Sequence, residues 1–353
     1  MKLIKQRLDF MEQPICIGTG LIALDVIIST LSNMPTQFLA GGSCGNVLTI
    51  LSYLGWSTFP IARLSNNVAT ELLLEDLKAW NVNKDLLLIG NTGSTPIIIH
   101  RILKDQMGIP KHRFEFRNPE NGKYLPSYKP CLAASVPSIV EQKSNPNVFY
   151  FDRINRASIN LAKVYKNQGA AIFFEPSSIR DSKGFNECLE LADVIKFSDD
   201  RIPNYDQLFP VAKVSLEIQT LGSLGLRFRT PKKAEWTFLG SYSIDNVIDA
   251  AGAGDWCTAG IIMNLFKDSY SVNESNFNQI ISALQFGQAL SALNCTFEGA
   301  RGLMYNISKN SLLLNVQNII ASGMESIQQH NKPVITYQHQ NDHLNISSLF
   351  NSL

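Results

Sequence analysis

The chain has little charge and no block of either sign. Its 353 residues carry 31 Lys and Arg against 30 Asp and Glu, a net charge of +1, and charged residues make up 17% of the composition. A basic face for nucleic acid is therefore not expected. No stretch is long and apolar enough to span a bilayer, so no membrane partner is expected either. Lys2, Lys5 and Arg7 ahead of the uncharged run 15–24 have the outline of a signal peptide. Asp9 and Glu12 interrupt the basic part, no small-x-small cleavage site follows, and Asp25 closes the run, so the segment reads as a first strand. The cysteines at 16, 44, 131, 188, 257 and 295 form no C-x-x-C pair and have no local His partner. This pattern suggests reduced thiols in a cytoplasmic protein rather than a disulfide framework or a zinc site. No G-x-x-x-x-G-K-[ST] occurs, so any ATP site lacks a Walker lysine. The 45% hydrophobic content suits one large α/β core or two smaller ones.

What is present centres on Ile248-Asp249-Ala250-Ala251-Gly252-Ala253-Gly254-Asp255, followed by an uncharged, largely apolar run at 256–265 without proline. This pattern predicts a tight turn opening a buried helix, with Asp255 at the helix start. A glycine-rich turn exposes backbone N–H groups. The first helical turn adds unpaired donors and the positive end of the dipole, so an anion is favoured, phosphate above all. A carboxylate there repels phosphate unless it takes a proton from a hydroxyl that attacks the phosphorus. Taken alone, Asp255 reads more readily as a helix cap than as a base.

The Asp-Ala-Ala-Gly-Ala-Gly-Asp run at 249–255 resembles the C-terminal signature of the ribokinase-like sugar kinases, the phosphofructokinase B type (PfkB) family, written D-[TS]-x-G-A-G-D; only Ala250 departs. Ala40-Gly41-Gly42-Ser43-Cys44-Gly45-Asn46, followed by an apolar helix to Leu54-Gly55, is similar to the N-terminal signature, in which two glycines and an asparagine contact the sugar. The resemblance runs over residues 14–305 in a compatible order. It implies a three-layer α/β/α sandwich with a mostly parallel central sheet and a small β lid. It also implies ATP-dependent phosphorylation of a hydroxyl on a sugar or sugar-like molecule, with magnesium bridging the ATP phosphates. Asp255 would be the base, and the amides of Ala251, Gly252, Ala253 and Gly254 would meet the charge of the transferred phosphoryl group. Asp25, Gly41, Gly42 and Asn46 would hold the acceptor. Thr220, Gly222 and Gly225 resemble the nucleotide-side T-x-G-x-x-G turn. Asp249 would help a monovalent cation such as potassium order the loop, or else brace the turn. Pairing into a homodimer through the lid is a further implication.

In chain order, residues 1–13 form an arm without a strong pattern, 14–331 the kinase-like domain, and 332–353 a polar tail ordered only where it docks. Gly18-Thr19-Gly20-Leu21-Ile22-Ala23 matches G-x-G-x-x-A, but the acidic residue a dinucleotide site needs further on is missing. Val47, Ile50, Leu51 and Leu54 define a helix with one buried stripe, with Asn46 in its first turn. A surface helix is predicted over 68–80. The lid would come from segments near 20–40 and 95–130: the β-prone run 96–103, then Arg113-Phe114-Glu115-Phe116-Arg117, whose alternation predicts Phe114 and Phe116 on a covered face. From 147 onward short strands at 148–151, 170–174 and 192–197 alternate with helical patterns, the rhythm of a parallel sheet whose ligands gather at the C-terminal strand ends. Ala283, Gly287 and Ser291 form a small-residue stripe for close helix packing.

Three departures from the family pattern bear on the metal. Glu175-Pro176-Ser177-Ser178-Ile179-Arg180 has polar replacements. Ser65-Asn66-Asn67 stands for Gly-Asp-Asp. Ser198-Asp199-Asp200-Arg201 replaces Asn-x-x-Glu, so an Arg takes the place of the acid that organises magnesium through water. Glu175, Asp199 and Asp200 are the candidates for supplying that charge through water, and both aspartates also read as solvated loop residues. Nucleoside phosphorylation, or a sugar- or nucleotide-binding protein with impaired catalysis, are the alternatives.

Overall fold

Alternate residues of the central strands enter two separate apolar cores, which makes the molecule three layers deep. In the computed structural model, which describes residues 13–29, 36–104, 110–267, 272, 275–323 and 349–350, the main sheet contains β1 (Ile15–Thr19), β4 (Ser57–Leu64), β5 (Leu87–Ile89), β8 (Val148–Phe151), β9 (Ala171–Phe174), β10 (Val194–Ser198), β11 (Leu216–Thr220), β12 (Gly225–Thr230) and β13 (Lys233–Gly240). Their order is β13-β12-β11-β10-β9-β8-β1-β4-β5. Every pairing from β11 to β5 is parallel, and only β12 and β13 run antiparallel at one edge.

Period 2 decides which side each residue serves. Val148, Tyr150, Ala171, Phe173, Val194 and Ile218 join one core, and Phe149, Phe151, Ile172, Phe174, Ile195 and Phe197 the other. The first core is covered by α1 (Ser43–Leu54), α2 (Val68–Ala79), α7 (Ala253–Phe266), α8 (Phe277–Asn294), α9 (Gly302–Asn306) and α10 (Lys309–Ser322). The second is covered by α3 (Val136–Gln142), α4 (Arg156–Asn167), α5 (Ser182–Leu191) and α6 (Tyr205–Leu208). This is the three-layer α/β/α sandwich expected from the sequence.

Helices α7 and α8 pack backbone to backbone, because a Cβ on Gly260 would lie 2.8 Å from the Gly287 Cα, and one on Gly287 2.6 Å from the Cys257 carbonyl oxygen. The small-residue stripe serves that approach. At the other end α1 stops at Gly55, whose φ of 104° closes the helix with hydrogen bonds to Leu51 and Ser52.

A second sheet, in the order β3-β2-β6-β7, forms the lid from β2 (Ala23–Ser29), β3 (Gln37–Gly41), β6 (Ile97–Lys104) and β7 (Pro110–Glu115). Residues 30–35 and 105–109 of the two expected lid segments lie outside the described residues. Phe114 and Phe116 depart from expectation: they are 52% and 57% exposed. Among the described residues the rings are only partly covered, Phe114 by His100, which stacks on it at 4.7 Å. Residues 1–12 of the arm, and the tail apart from Leu349 and Phe350, also lie outside the described residues. Those two side chains are buried in the first core.

Candidate active site

Helix α7 begins where the strand ends gather. Gly252 caps it in the left-handed region, φ 73°, and a Cβ at that position would strike the Ala300 carbonyl, so only glycine fits. The turn is braced from behind. Asp249 is fully buried; its Oδ1 accepts from the Ala251 N–H at 2.6 Å and its Oδ2 from the Gly299 N–H at 2.8 Å. The buried Asn294 donates to the carbonyls of Ala251 and Ala300, and the Trp256 indole N–H also donates to Ala300.

This bracing selects which amides face outward. The Ala251 N–H is turned inward to Asp249, and the Ala253 N–H reaches the Ala250 carbonyl at 3.3 Å. The N–H groups of Gly252, Gly254 and Asp255 have no acceptor among the described residues. Of the four amides expected from the sequence, those of Gly252 and Gly254 are open and those of Ala251 and Ala253 are engaged, while the Asp255 N–H joins the open set. Gly254 is exposed, and its missing side chain leaves the approach clear.

Asp255 sits in the first turn of α7, and its Oδ2 accepts from the Asn46 Nδ2 at 2.8 Å. Two stretches 209 residues apart thereby meet. Burial, reinforced by Glu175, pushes the Asp255 carboxyl up to about 8, against the hydrogen bond from Asn46 and the charge of Lys196. A carboxylate tuned near neutrality can take a proton and still be ionised when needed.

The residues expected to hold the acceptor come from α1 and the lid. Asp25 is on β2 opposite Leu39 of β3, and Gly41 lacks a side chain where the Asp25 carboxylate packs. Burial lifts Asp25 to about 7, opposed by Arg301 and by the Gly42 N–H that donates to it. Asp25 Oδ1 and Asn46 Oδ1 are buried acceptor atoms without a hydrogen-bond partner. Hydroxyl donors would satisfy both.

Asp152, just past β8, joins them. Its Oδ1 accepts from the Leu21 N–H at 2.9 Å, Arg153 stands 3.2 Å from Oδ2, and burial raises its pKa. The sequence offered no motif for Asp152; its one signal was an acid at the C-terminal end of a buried strand. Behind Asp25 lies a buried network that was also missed: Asp76 of α2 accepts from Arg301, Tyr305 and the Ala40 N–H. Beside the residues expected to hold the acceptor, Leu21, Ile97, Phe116, Tyr124, Leu125 and Tyr128 are among the residues lining a mostly apolar cleft of about 340 Å³ beneath the lid.

The turn expected to meet the nucleotide follows β11. The Leu221 N–H bonds to the Gly225 carbonyl at 2.8 Å and the Thr220 hydroxyl to Phe197 at 3.4 Å. Gly222 has φ 57° with open space around it, and Gly225 has φ 112°. Thr220 also receives the Asp199 N–H on its carbonyl, which ties this turn to the one after β10. Asp199 is half-buried and Asp200 exposed, and neither carboxylate makes an ion pair among the described residues. Asn67, in the altered stretch, caps α2 by accepting from the Thr70 N–H.

Glu175 is placed otherwise. Its Oε1 accepts from Lys196 Nζ at 2.6 Å, and its Oε2 from the Thr258 hydroxyl at 2.7 Å and the Tyr150 phenol at 3.1 Å. Lys196, 2% exposed on β10, was not singled out from the sequence; a lysine at an inward strand position was the available signal. Burial opposes its charge, yet Glu175 beside it holds its pKa above the usual lysine value.

Known proteins match this arrangement over most of the chain. A probable chloroplastic fructokinase of Arabidopsis thaliana, fructokinase-6, is 25% identical over 321 residues, 82% of this chain and 79% of that one. A double-mutant fructokinase of Vibrio cholerae, solved with fructose, ADP and potassium ion, superposes with a TM-score of 0.63 at 18% identity, covering 83% of this chain and 95% of its own. Aminoimidazole riboside kinase of Salmonella enterica, solved with its riboside and an ATP analogue, gives a TM-score of 0.63 at 16% identity over 86% and 99% of the two chains. Residues 19–305, which include the lid strands, Asp25, Asn46 and the whole glycine turn, match the pfkB family carbohydrate kinases, and the chain belongs to that family.

Proposed function

We propose that the protein transfers the γ-phosphoryl group of ATP to a hydroxyl of a small sugar or sugar-bearing acceptor held by Asp25, Gly41, Gly42, Asn46 and Asp152. The observation that carries this is the Asn46–Asp255 hydrogen bond at the mouth of a turn with open amides. An acceptor hydroxyl bound at Asn46 stands next to Asp255, which takes its proton as the oxygen attacks phosphorus. The N–H groups of Gly252, Gly254 and Asp255 receive the negative charge of the group in flight, at the positive end of α7. The lid excludes water that would otherwise compete as acceptor.

Thr220, Gly222 and Gly225 are proposed to take the nucleotide, with backbone close enough to approach ribose and phosphates. Among the described residues no cluster of three or more His, Cys, Asp or Glu is arranged to hold a metal directly, which suits an ion that arrives on the nucleotide and keeps its waters. Asp199 and Asp200 would meet magnesium through those waters, with Glu175 contributing through its field, and the ion supplies charge neutralisation on the phosphates. Asp249 braces the turn with both oxygens, and the proposed potassium ion would sit at the loop it orders.

The apolar cleft under the lid, with Phe116, Tyr124 and Tyr128 on its walls, favours a second reading in which the acceptor bears a ring, as a nucleoside does. The exposed Phe114 and Phe116 support a homodimer paired through the lids. Six buried free thiols suit a reducing compartment such as the cytoplasm. A thermal-shift screen of fructose, ribose and nucleosides, each with and without ATP and magnesium, tests the assignment. The true acceptor should raise Tm with concentration, by about 2.7 kcal/mol of added stability at a hundredfold excess over Kd. A Tm that no sugar, nucleoside or nucleotide moves would overturn the proposal.

A further inference from the structure

Lys196 lies where no charge is expected, on the core face of a central parallel strand, and β-sheet parity explains how it gets there. Val194 and Ile195 pair with Phe173 and Phe174, so the next position sets Lys196 across from Glu175, both on the face beneath α7. From there Nζ makes two bonds: 2.6 Å to Glu175 Oε1 and 3.2 Å to the carbonyl of Gly254. The second bond bears on the reaction. A trans peptide directs its C=O and N–H to opposite sides; Gly254 stands in the first turn of α7, so the Lys196 bond to its carbonyl reinforces the helix geometry that turns the Asp255 N–H outward, where no acceptor lies among the described residues.

An ammonium at a helix N-terminus is poorly placed for the dipole. A buried ion pair also contributes no more to stability than well-packed apolar side chains of the same volume. Stability alone therefore does not account for a lysine here. Tyr150 and Thr258 complete the support by donating to the far oxygen of Glu175, which leaves Nζ free to face Gly254. The charged and polar groups around Asp255 come from four elements: Asp152 after β8, Glu175 after β9, Lys196 on β10 and Asn46 on α1.

We propose that Lys196, oriented by Glu175, is a positioning residue for phosphoryl transfer: it steadies the Gly254–Asp255 peptide in the first turn of α7 so that the Asp255 N–H meets the transferred group, and its charge balances the site from behind. The inference rests on the kinase function proposed above. It assigns to a buried lysine of the sheet part of the work that the absent Walker lysine does from a loop.

The deciding variant is Lys196→Met with Glu175→Leu, which removes both charges together and so leaves no unpaired ion in the core. Lys196→Met and Glu175→Gln serve as single-site comparisons. Melting temperature, ATP affinity, kcat, acceptor KM and the pH profile of kcat/KM are measured for each. The double variant should melt within a few degrees of wild type, bind acceptor with an unchanged KM, and lose about 10²-fold in kcat, the scale of one anion-hole donor. Lys196→Met should move the pH midpoint above about 8, where burial and Glu175 set it, and Glu175→Gln should move it below. A well-folded double variant with wild-type kcat, or midpoints that stay put in both single variants, would overturn the proposal while leaving the kinase function standing. A wild-type protein that phosphorylates none of the acceptors would overturn both.

Discussion

Replacing Asp255 by Asn separates a base from a cap at the same position. The amide keeps the size of the carboxylate and can still accept from Asn46, so the contact at 2.8 Å survives and the turn around Gly252 is untouched. What disappears is the capacity to take a proton at neutral pH. General-base catalysis is worth roughly 10²- to 10⁴-fold, about 3–5 kcal/mol in the barrier, and kcat should fall by that much with little change in acceptor KM. The wild-type profile adds a second signature. With the Asp255 carboxyl at about 8 through burial and Glu175, kcat/KM should rise about tenfold per pH unit below that midpoint and level off above it, whereas the variant should be flat.

Stability should move the opposite way. The native carboxyl lies above its unfolded value near 4, so between about 4 and about 8 the native state holds a proton that the unfolded chain has released, and wild-type stability falls as pH rises through that window. Asn has no such term, so the Tm of the variant should gain on wild type from pH 5 to pH 8. Single-turnover phosphoryl transfer and melting curves across that range are the assays. A variant that transfers at the wild-type rate would refute the assignment of the base, and a Tm difference independent of pH would refute the raised, protonated carboxyl.

The same linkage applies to Asp25, whose native carboxyl lies at about 7: Asp25→Asn should gain Tm on wild type between pH 5 and pH 8, and should raise acceptor KM by tenfold or more, as initial-rate kinetics would record. Gly252→Ala brings a Cβ onto the Ala300 carbonyl and holds an L-residue at positive φ, so turnover should drop at least tenfold and Tm by several degrees. Asp199→Asn with Asp200→Asn should raise the magnesium concentration needed for half-maximal rate, and excess chelator should abolish wild-type turnover; undiminished activity in chelator would count against the water-mediated ion. Gly287→Val places bulk against the Cys257 carbonyl and should destabilise the protein by about 1–3 kcal/mol in denaturant titration.

Elements with a strong local pattern were legible before the fold was known. The run 148–151 is uniformly apolar and forms β8 (Val148–Phe151) as expected. The stripe Val47, Ile50, Leu51 and Leu54 is buried in α1. The glycine turn was legible because its spacing is local to a few residues.

What stayed hidden depends on partners distant in sequence. Lys196 looks like any strand lysine until the sheet register brings Glu175 opposite and α7 above it. Asp152 acquires meaning only when Leu21 and Gly20 pass over it, and Asp76 only when Arg301, 225 residues on, reaches it. Phe114 and Phe116 misled for the converse reason. Period 2 assigns them to one face of a strand, but whether that face is covered depends on what lies above the sheet, which the pattern does not carry. The change in the open amides has a similar origin: Asp249 captures the Ala251 N–H and the Ala250 carbonyl the Ala253 N–H, choices made by the turn's geometry.

The central claim is that Asp255 and the open amides of α7 move a phosphoryl group from ATP to an acceptor hydroxyl. It is tested most directly by incubating the protein with ATP, magnesium and each acceptor of the screen, and following ADP and phosphorylated acceptor together by mass spectrometry. The account predicts one favoured acceptor that gains a phosphoryl group in step with ADP formation, with both products suppressed about 10²-fold or more in Asp255→Asn. ADP formed without a phosphorylated acceptor, or equal product from the two proteins, would contradict it.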